Sequence, residues 1–217
     1  LWFRDNRCPP DILGANHYVT SLRYLDENIQ EYPARFHGGN GQHRYADIEV
    51  ARCLANPPED VGELLLEAWQ RYHLPLAITE CHIDSTREDQ LRWLTQVWRA
   101  ADRAHGCGAD IRAVTVWALF GAYDWNTLVT APNGYYEPGA YDVRGPEPRP
   151  TAIARLTKTL AKCDALGHPL VCAPGWWRRP HRFFCAPVTI TPSGKCHDRK
   201  LLPSSSGTPI VITGASG

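Results

Sequence analysis

The sequence has no methionine, no net charge and no long apolar run. Lys plus Arg and Asp plus Glu number 23 each, so no global field would attract nucleic acid or an anionic membrane surface. No apolar stretch approaches the roughly 20 residues that a membrane span needs. We therefore expect neither nucleic acid nor a membrane as a partner. A hydrophobic content of 43% over 217 residues is enough for a globular core.

The sequence also has no Cys-x-x-Cys pair and no visible secretory signal. Its cysteines are scattered through predicted strands, helices and loops, which favours reduced thiols in a cytoplasmic enzyme over a disulfide scaffold or a structural zinc site. No metal site is predicted. Because methionine is absent and the chain ends within a glycine-rich motif, we expect both termini to be cuts through a longer polypeptide. The cysteines are Cys8, Cys53, Cys81, Cys107, Cys163, Cys172, Cys185 and Cys196.

Three apolar runs predict β-strands, at Ile12–Thr20, from Pro75 to Glu80, and at Ile111–Phe120. The second run is too short for a helix and too apolar for a surface loop. It therefore predicts a buried parallel strand that delivers the Glu80 carboxylate at its C-terminal end, where α/β folds carry their chemistry. On this run alone, an acid that caps the next helix or meets solvent is the alternative. A long polar surface loop, rich in Gly and His, is predicted after the first strand.

Helical spacing and capping residues predict three helices. Asn56 is the predicted N-cap of the first, which ends near His73. Ser85 and Glu88 form a predicted capping box for the second, which Gly106 stops. The third begins at Pro150. The apolar stripes are Val61, Leu64, Leu65, Ala68, Trp69 and Tyr72 in the first, Leu91, Leu94, Trp98 and Ala101 in the second, and Ile153, Leu156 and Leu160 in the third.

This order of strands and helices predicts an α/β fold with parallel strands and crossover helices. It matches the C-terminal three βα units of a (β/α)8 TIM barrel, whose active-site residues project from strand C-termini. A doubly wound sheet is the alternative. We predict a partial barrel domain over residues 1–164 and an irregular Pro/Arg-rich linker over 165–207, with Trp176 and Trp177 packed on the neighbouring domain. Residues 208–217 would be the truncated start of a Rossmann-like dinucleotide-binding domain.

Polar and aromatic side chains cluster at the predicted strand ends. Asn16, His17 and Tyr18 end the first strand, and Trp117, Asp124 and Trp125 lie on or just past the third. With Glu80, they supply carboxylates, aromatic platforms and hydrogen-bonding groups. Glycosidic bond cleavage requires these groups, because its oxocarbenium-like transition state is stabilised by an anion and the sugar is held by stacking and hydrogen bonds. The alternative for the indoles is core packing.

Three of these segments resemble motifs of the family 1 glycoside hydrolases, the β-glucosidase-like enzymes. Gly14-Ala-Asn-His-Tyr18 is similar to Gly-x-Asn-Tyr-Tyr of the sixth strand, and Ile78-Thr-Glu80 to Ile-Thr-Glu-Asn-Gly of the seventh. Trp117 to Trp125 resembles Trp-Ser-Leu-Leu-Asp-Asn-Phe-Glu-Trp after the eighth. The resemblance implies Glu80 as the nucleophile, Tyr18 as its hydrogen-bond partner, Asn16 as a sugar contact, and Trp117, Asp124 and Trp125 as the glycone-binding group.

The sequence departs from the family pattern at His17, at Cys81-His82 and at Asp124, which is one methylene shorter than the family's Glu. These departures leave the identity of the sugar substrate undetermined. The family's general acid comes from an Asn-Glu-Pro motif on the fourth strand, which we expect upstream of Leu1. Retaining hydrolysis needs its two carboxyls about 5–5.5 Å apart, so this chain alone is not expected to turn over a glycoside.

The C-terminal Ile210-Val-Ile-Thr-Gly214-Ala-Ser-Gly217 adds a second resemblance. It is similar to the junction of bacterial fusions in which a family 1-like barrel precedes a reductase domain resembling dTDP-4-dehydrorhamnose reductase. Gly214 and Gly217 would then begin an NAD(P) site in a missing domain, whereas the glycosidase part needs no cofactor. Three functions follow as alternatives: a retaining β-glycosidase with a carbohydrate substrate, a non-catalytic carbohydrate-binding domain, and a sugar-nucleotide reductase.

Overall fold

A computed structural model describes residues 2–57, 60–162, 169–189 and 210–213. The chain divides into two compact units, each made of separated segments. The first unit comprises Leu1–His17 and Glu59–Gly175, and the second comprises Tyr18–Pro58 and Trp176–Gly217. The predicted boundaries at residues 164 and 207 stay predictions. None of the described helices is both long enough and apolar enough to cross a membrane.

The strands are short and are numbered in chain order. They are β1 (Leu13–His17), β2 (Leu22–Asp26), β3 (His37–Gly39), β4 (Arg44–Glu49), β5 (Leu76–Cys81), β6 (Ile111–Val116), β7 (Ala122–Tyr123), β8 (Tyr136–Glu137), β9 (Tyr141–Asp142), β10 (Arg149–Pro150) and β11 (Ile210–Thr213). The α-helices are α1 (Trp2–Asp5), α2 (Val50–Cys53), α3 (Val61–Tyr72), α4 (Arg87–Gly106) and α5 (Ala152–Ala161).

A three-stranded parallel sheet in the order β1–β5–β6 forms the centre of the first unit. Ile78 of the central strand pairs with Ala15 on one side and Val114 on the other, and it is fully buried. The predicted parallel α/β arrangement is confirmed. The outer strands are shorter than predicted, because β1 ends at His17 and β6 ends at Val116. Residues beyond Val116 leave the ladder, and the Trp117–Ala118 peptide bond is cis.

The helices confirm the predicted stripes in part and correct both predicted N-caps. Asp60, not Asn56, caps α3, since its side chain accepts a hydrogen bond from the Gly62 N–H. Thr86, one residue beyond the predicted Ser85, caps α4 by accepting from the Asp89 N–H. The predicted ends at His73 and Gly106 are confirmed. The stripe residues that are buried are Val61, Leu65, Leu91, Leu94, Ala101, Ile153, Leu156 and Leu160, whereas Tyr72 is exposed and Trp98 half-buried.

The second unit contains an antiparallel sheet where a polar surface loop was predicted, so that prediction is wrong. Its strands lie in the order β11–β2–β4–β3. In β4 the buried Ala46 and Ile48 alternate with polar residues, the period-two pattern of a strand with one face on a core. Tyr24, Val50 and Leu54 complete that core, which buries apolar surface that a solvated loop could not.

Residues 176–189 of the predicted linker also pack into the second unit, whereas residues 169–175 belong to the first unit. Trp177 and Arg182 are buried, and Arg182 Nη2 donates to the carbonyls of Leu54 at 3.0 Å and Ala55 at 3.2 Å. The Arg52 guanidinium lies 3.7 Å from the centroid of the Trp176 ring. Short 3₁₀ helices and these contacts correct the prediction of an irregular, solvated connector. The contact between Arg52 and Trp176 lies within the second unit, and the predicted packing of Trp176 and Trp177 on a neighbouring domain stays a prediction.

The predicted C-terminal strand is present at β11, but its pairing differs from the prediction. It pairs antiparallel with β2, with Ile210 opposite Leu25 and Thr213 opposite Leu22. The first strand of a Rossmann-like domain would instead lie in a parallel sheet. The predicted dinucleotide turn at Gly214 and Gly217 lies outside the described residues.

Candidate functional site

The carboxyl ends of β1, β5 and β6 bring three separate segments of the chain to one edge of the parallel sheet. Asn16 of β1 pairs in register with Glu80 of β5. The next residue of β5, Cys81, pairs with Val116 of β6, and its carbonyl accepts a 3.2 Å hydrogen bond from the Trp117 N–H. Adjacent strands lie about 4.8 Å apart, so Asn16 and Trp117 flank Glu80 and Cys81 on the two sides of β5.

Glu80 lies half-buried at the penultimate position of β5. The ladder is irregular beside it, because Ala15 pairs with Ile78 whereas Asn16 pairs with Glu80. Bulges of this kind are over-represented next to active sites, where they redirect a side chain. Burial raises the pKa of the neighbouring Cys81 thiol, which keeps it protonated and poorly nucleophilic. The edge therefore offers one carboxylate and no competing thiolate from Cys81.

Thr79 of β5 also lies at this edge, and sequence reasoning did not identify it as a site residue. Its hydroxyl donates a 2.7 Å hydrogen bond to Asn16 Oδ1, which fixes the orientation of the Asn16 amide. A Cβ at Gly14 would lie 2.7 Å from Thr79 Cγ2, so glycine at that position gives the threonine its room. With Oδ1 accepting from Thr79, the Asn16 NH₂ group is left as the donor for a further partner. The only signal in the sequence was that Thr79 precedes Glu80.

His17 lies on the opposite face of β1 from Asn16, so the structure corrects the prediction that it joins the site. Its ring is buried and stacks on Trp93 of α4, with ring centroids 5.5 Å apart. Successive side chains of a strand point to opposite faces. Burial lowers the pKa of His17 from 6.5 to about 4, and the charge of Asp60 opposes this effect.

The depressed pKa of His17 predicts a dependence of stability on pH. In the unfolded chain His17 binds a proton below pH 6.5, whereas in the folded chain it stays neutral down to about pH 4. The folded state therefore keeps its full stability above pH 6.5 and loses stability as the pH falls toward 4. At about 1.4 kcal/mol per tenfold change in proton affinity, the loss reaches roughly 3 kcal/mol. The His17→Phe variant keeps the stack on Trp93 and should lack this loss.

Urea unfolding at a series of pH values measures the difference between the wild type and His17→Phe. That difference should change by roughly 2–3 kcal/mol in favour of the variant between neutral pH and pH 4. A matched control is His181→Asn, since His181 is exposed. A constant difference between the wild type and His17→Phe would contradict a neutral, buried His17.

Trp117 and Trp125 form an aromatic pair beyond the end of β6. Their ring centroids are 5.7 Å apart and their planes are tilted by 41°. Trp117 is half-buried, whereas Trp125 is 45% exposed and so offers a face to a ligand. Asp124 has a left-handed backbone with φ of 56°, and its Oδ1 accepts a 2.8 Å hydrogen bond from the Tyr135 N–H. The structure thus brings Trp117, Asp124 and Trp125 together, as the sequence predicted.

We call the segment 122–137 the rim hairpin. Two side-chain pairs that sequence reasoning missed attach it to the segment that directly follows β5. Its strands β7 and β8 pair Ala122 with Glu137. His82 Nε2 contacts Glu137 Oε1, and both side chains are buried. The Tyr135 hydroxyl donates to both carboxylate oxygens of Asp84 at 2.9 and 3.0 Å, which raises the pKa of Tyr135. Neither pair has a local sequence signal.

Tyr18 directly follows β1 but belongs to the second unit. Its backbone N–H donates to the Ser21 hydroxyl at 2.9 Å. The predicted hydrogen bond from Tyr18 to Glu80 stays a prediction. Among the described residues, no group of three or more His, Cys, Asp or Glu side chains is placed to hold a metal ion.

Comparison with solved structures relates this fold to β-glycosidases. The β-glycosidase from Pyrococcus horikoshii superposes with a TM-score of 0.51 at 19% identity, covering 80% of this chain and 38% of that chain. Fpglu1 from Fervidobacterium pennivoraus gives a TM-score of 0.49 at 16% identity, covering 74% and 38%. The β-glucosidase from Pyrococcus furiosus gives 0.44 at 16% identity, covering 62% and 32%.

The likeness to the Pyrococcus horikoshii protein shows a shared fold, that of part of a β-glycosidase. This chain spans less than two fifths of the length of that protein. No protein-family model matches the sequence.

Proposed function

We propose that this chain is the part of a retaining β-glycosidase that carries the nucleophile and the glycone site. One observation carries the proposal: Glu80 lies at the penultimate position of a buried parallel strand and pairs with Asn16 of β1, and the carbonyl of the next residue, Cys81, accepts a hydrogen bond from the Trp117 N–H. A carboxylate at that position lies beside a hydrogen-bonding amide, and the strand that bears it contacts the backbone of Trp117, the first member of an aromatic pair. These are the groups that a pyranose ring with a reactive anomeric carbon needs.

The proposed reaction begins with attack of a Glu80 oxygen on the anomeric carbon. The carbon–oxygen bond to the leaving group breaks, that oxygen is protonated by a general acid, and a glycosyl–Glu80 ester remains. Water then attacks the same carbon, gives a proton to the conjugate base of the general acid, and releases the sugar and the Glu80 carboxylate. The negative charge of Glu80 stabilises the oxocarbenium-like transition states of both steps.

The other residues are proposed to bind the sugar. The exposed face of Trp125, held by Trp117, would stack on the C–H face of the ring. Asp124 would accept hydrogen bonds from sugar hydroxyls, and the Asn16 amide would donate one.

The general acid is the part of this machinery that the 217 residues do not supply. The sequence contains no Asn-Glu-Pro segment. Hydrolysis of an ordinary glycoside is therefore proposed to depend on a carboxyl group elsewhere in the protein, about 5–5.5 Å from Glu80. The same observation favours the second candidate, a domain that binds carbohydrate without cleaving it. A sugar-nucleotide reductase activity stays a separate prediction, since Gly214 and Gly217 lie outside the described residues.

Sugar binding tests both candidates. We would titrate the protein with cationic imino-sugars of gluco, galacto and manno configuration, because a ring cation pairs with the Glu80 carboxylate as the transition state does. At least one should bind, and Trp117→Ala should weaken that binding by about 10- to 100-fold through loss of the aromatic surface. The matched control is Trp98→Ala, which removes an indole from α4. An unchanged dissociation constant in Trp117→Ala would argue against the proposed sugar site.

A further inference from the structure

His82 and Glu137 form a buried ionisable pair that the proposed reaction does not use. The side chains are only 8% and 6% exposed, and His82 Nε2 contacts Glu137 Oε1. Because a carboxylate can only accept, Nε2 carries the proton of this hydrogen bond when Glu137 is ionised. Taking a carboxylate out of water is unfavourable unless it is paired, so each residue makes the burial of the other tolerable.

His82 also contacts the aromatic pair of the candidate site. Its ring meets the Trp117 indole edge-on, with centroids 5.0 Å apart and an interplanar angle of 62°. Trp117 in turn contacts Trp125. A continuous series of contacts thus runs from Glu137 through His82 and Trp117 to Trp125. Any movement of the His82 ring would change the packing of the Trp117 indole.

The two partners lie on the two elements whose relative position matters most for a sugar. His82 is the first residue after β5 and follows the nucleophile candidate Glu80 by two residues. Glu137 lies in β8 of the rim hairpin, which carries Asp124 and Trp125 between its strands. The pair therefore ties the rim hairpin to the strand that bears the reactive carboxylate.

The second attachment of the rim hairpin, the hydrogen bond between Tyr135 and Asp84, is exposed to solvent. It can be compared with the buried His82–Glu137 pair. Tyr135 and Asp84 are both exposed, so their hydrogen bond competes with water and contributes little to position. The His82–Glu137 contact has no such competition. Of these two attachments, the buried one should determine where the hairpin and its indole lie.

We propose that the His82–Glu137 pair is a positioning device that fixes the Trp117–Trp125 platform relative to Glu80. This inference rests on the proposed function for its consequence in sugar binding, but the positioning itself is independent of any sugar. Loss of either partner leaves the other buried and unpaired, and it frees the Trp117 indole to adopt another rotamer. His82→Gln preserves the position, because its amide N–H can still donate to Glu137.

Fluorine NMR of the protein labelled with fluorotryptophan measures the positions of the indoles directly. The eight tryptophans give separate signals, and Trp117→Phe and Trp125→Phe identify the two of interest. His82→Ala and Glu137→Ala should shift or broaden these two signals, and His82→Gln should restore them. Two controls should leave them in place: Tyr135→Phe, which removes the exposed attachment, and Leu65→Ala, which destabilises a core position in α3.

The same variants are then titrated with the imino-sugar that binds the wild type. His82→Ala should weaken binding by about tenfold, and His82→Gln should bind within about twofold of the wild type. A folded His82→Ala protein in which the signals of Trp117 and Trp125 do not move would overturn the proposal. If the signals move as expected while the wild type binds no imino-sugar, the positioning stands and the proposed glycosidase function fails.

Discussion

Replacing Glu80 by Ala is expected to lower the rate of cleavage of an activated aryl β-glycoside by about a thousandfold or more, because the variant lacks the group that attacks the anomeric carbon. A dinitrophenyl leaving group departs without protonation. The measurement therefore tests the nucleophile even where the general acid is absent. The release of dinitrophenolate by the wild type and the variant is followed by absorbance.

Two further observations separate a lost nucleophile from a damaged fold. Formate added to Glu80→Ala should restore part of the activity, because the small anion can occupy the space that the side chain leaves and attack in its place. Glu80→Gln fills that space, so formate should not rescue it. The matched control is Glu63→Gln on α3, which should retain wild-type activity. Equal rates for the wild type and Glu80→Ala would exclude Glu80 as the nucleophile.

Replacing Gly139 by Ala is expected to lower the free energy of unfolding of the first unit by about 2–3 kcal/mol. A Cβ at this position would lie 2.5 Å from the carbonyl carbon of Phe120 and 2.7 Å from both the Ala118 oxygen and the Gly121 nitrogen. All of these are backbone atoms, so the clash cannot be relieved by a change of rotamer. The segment that follows Trp117 would have to separate from the segment that follows Glu137.

The displacement should also reach the candidate site. Gly139 lies two residues beyond Glu137, so a shift there moves the rim hairpin that carries Asp124 and Trp125. Urea unfolding and imino-sugar titration measure the two effects on one protein. Gly145→Ala is the matched control, because its Cβ would approach Glu147 O no closer than 3.8 Å. Equal free energies of unfolding for Gly139→Ala and Gly145→Ala would contradict the close approach of Gly139 to the backbone of residues 118–121.

The parallel sheet and its reactive edge could be predicted from sequence because their signals are local. The run that ends at Glu80 is short, apolar and interrupted by an acid, and parallel strands bring their carboxyl ends to one edge. Trp117, Asp124 and Trp125 lie within nine residues of one another, so their proximity needs little tertiary information. The adjacency of β1 and β5 follows from strand order, whereas the pairing of Asn16 with Glu80 depends on the irregular register beside it, which has no local signal.

The antiparallel sheet of the second unit was missed because its core is assembled from distant segments. Ile48 and Val50 are buried by contacts that include Cys185 and Val188, far along the chain. Locally, β4 is a half-polar strand that follows a stretch rich in glycine and histidine, and such a stretch is typical of a loop. The sequence of β4 alone does not show which of its residues are buried, because the segments that cover them lie elsewhere in the chain.

The role of His17 was mispredicted for a different reason. It lies in the middle of a motif whose other members are Asn16, the predicted sugar contact, and Tyr18, the predicted partner of Glu80. Strict alternation along a strand would have turned His17 to the opposite face, where α4 supplies Trp93. Strand geometry at this position outweighs the resemblance of the motif.

The attachments of the rim hairpin could not be predicted from sequence. His82 and Glu137 are 55 residues apart, and Asp84 and Tyr135 are 51 apart. No periodicity or capping rule connects residues at these separations. A different limit applies to the N-cap of α4, where Ser85 and Thr86 are adjacent candidates and only the hydrogen bond from the Asp89 N–H decides between them.

Covalent labelling followed by peptide mapping tests the central claim, the attack of Glu80 on an anomeric carbon, most directly. The protein is treated with a fluorinated β-glycoside that carries a dinitrophenyl leaving group, since fluorine slows hydrolysis of the glycosyl–enzyme ester and lets it accumulate. After digestion with trypsin, the sugar should be found on the peptide Tyr72–Arg87 and, by fragmentation, on Glu80. A sugar attached to any other residue, or no attached sugar in a protein that cleaves the activated substrate, would contradict the account.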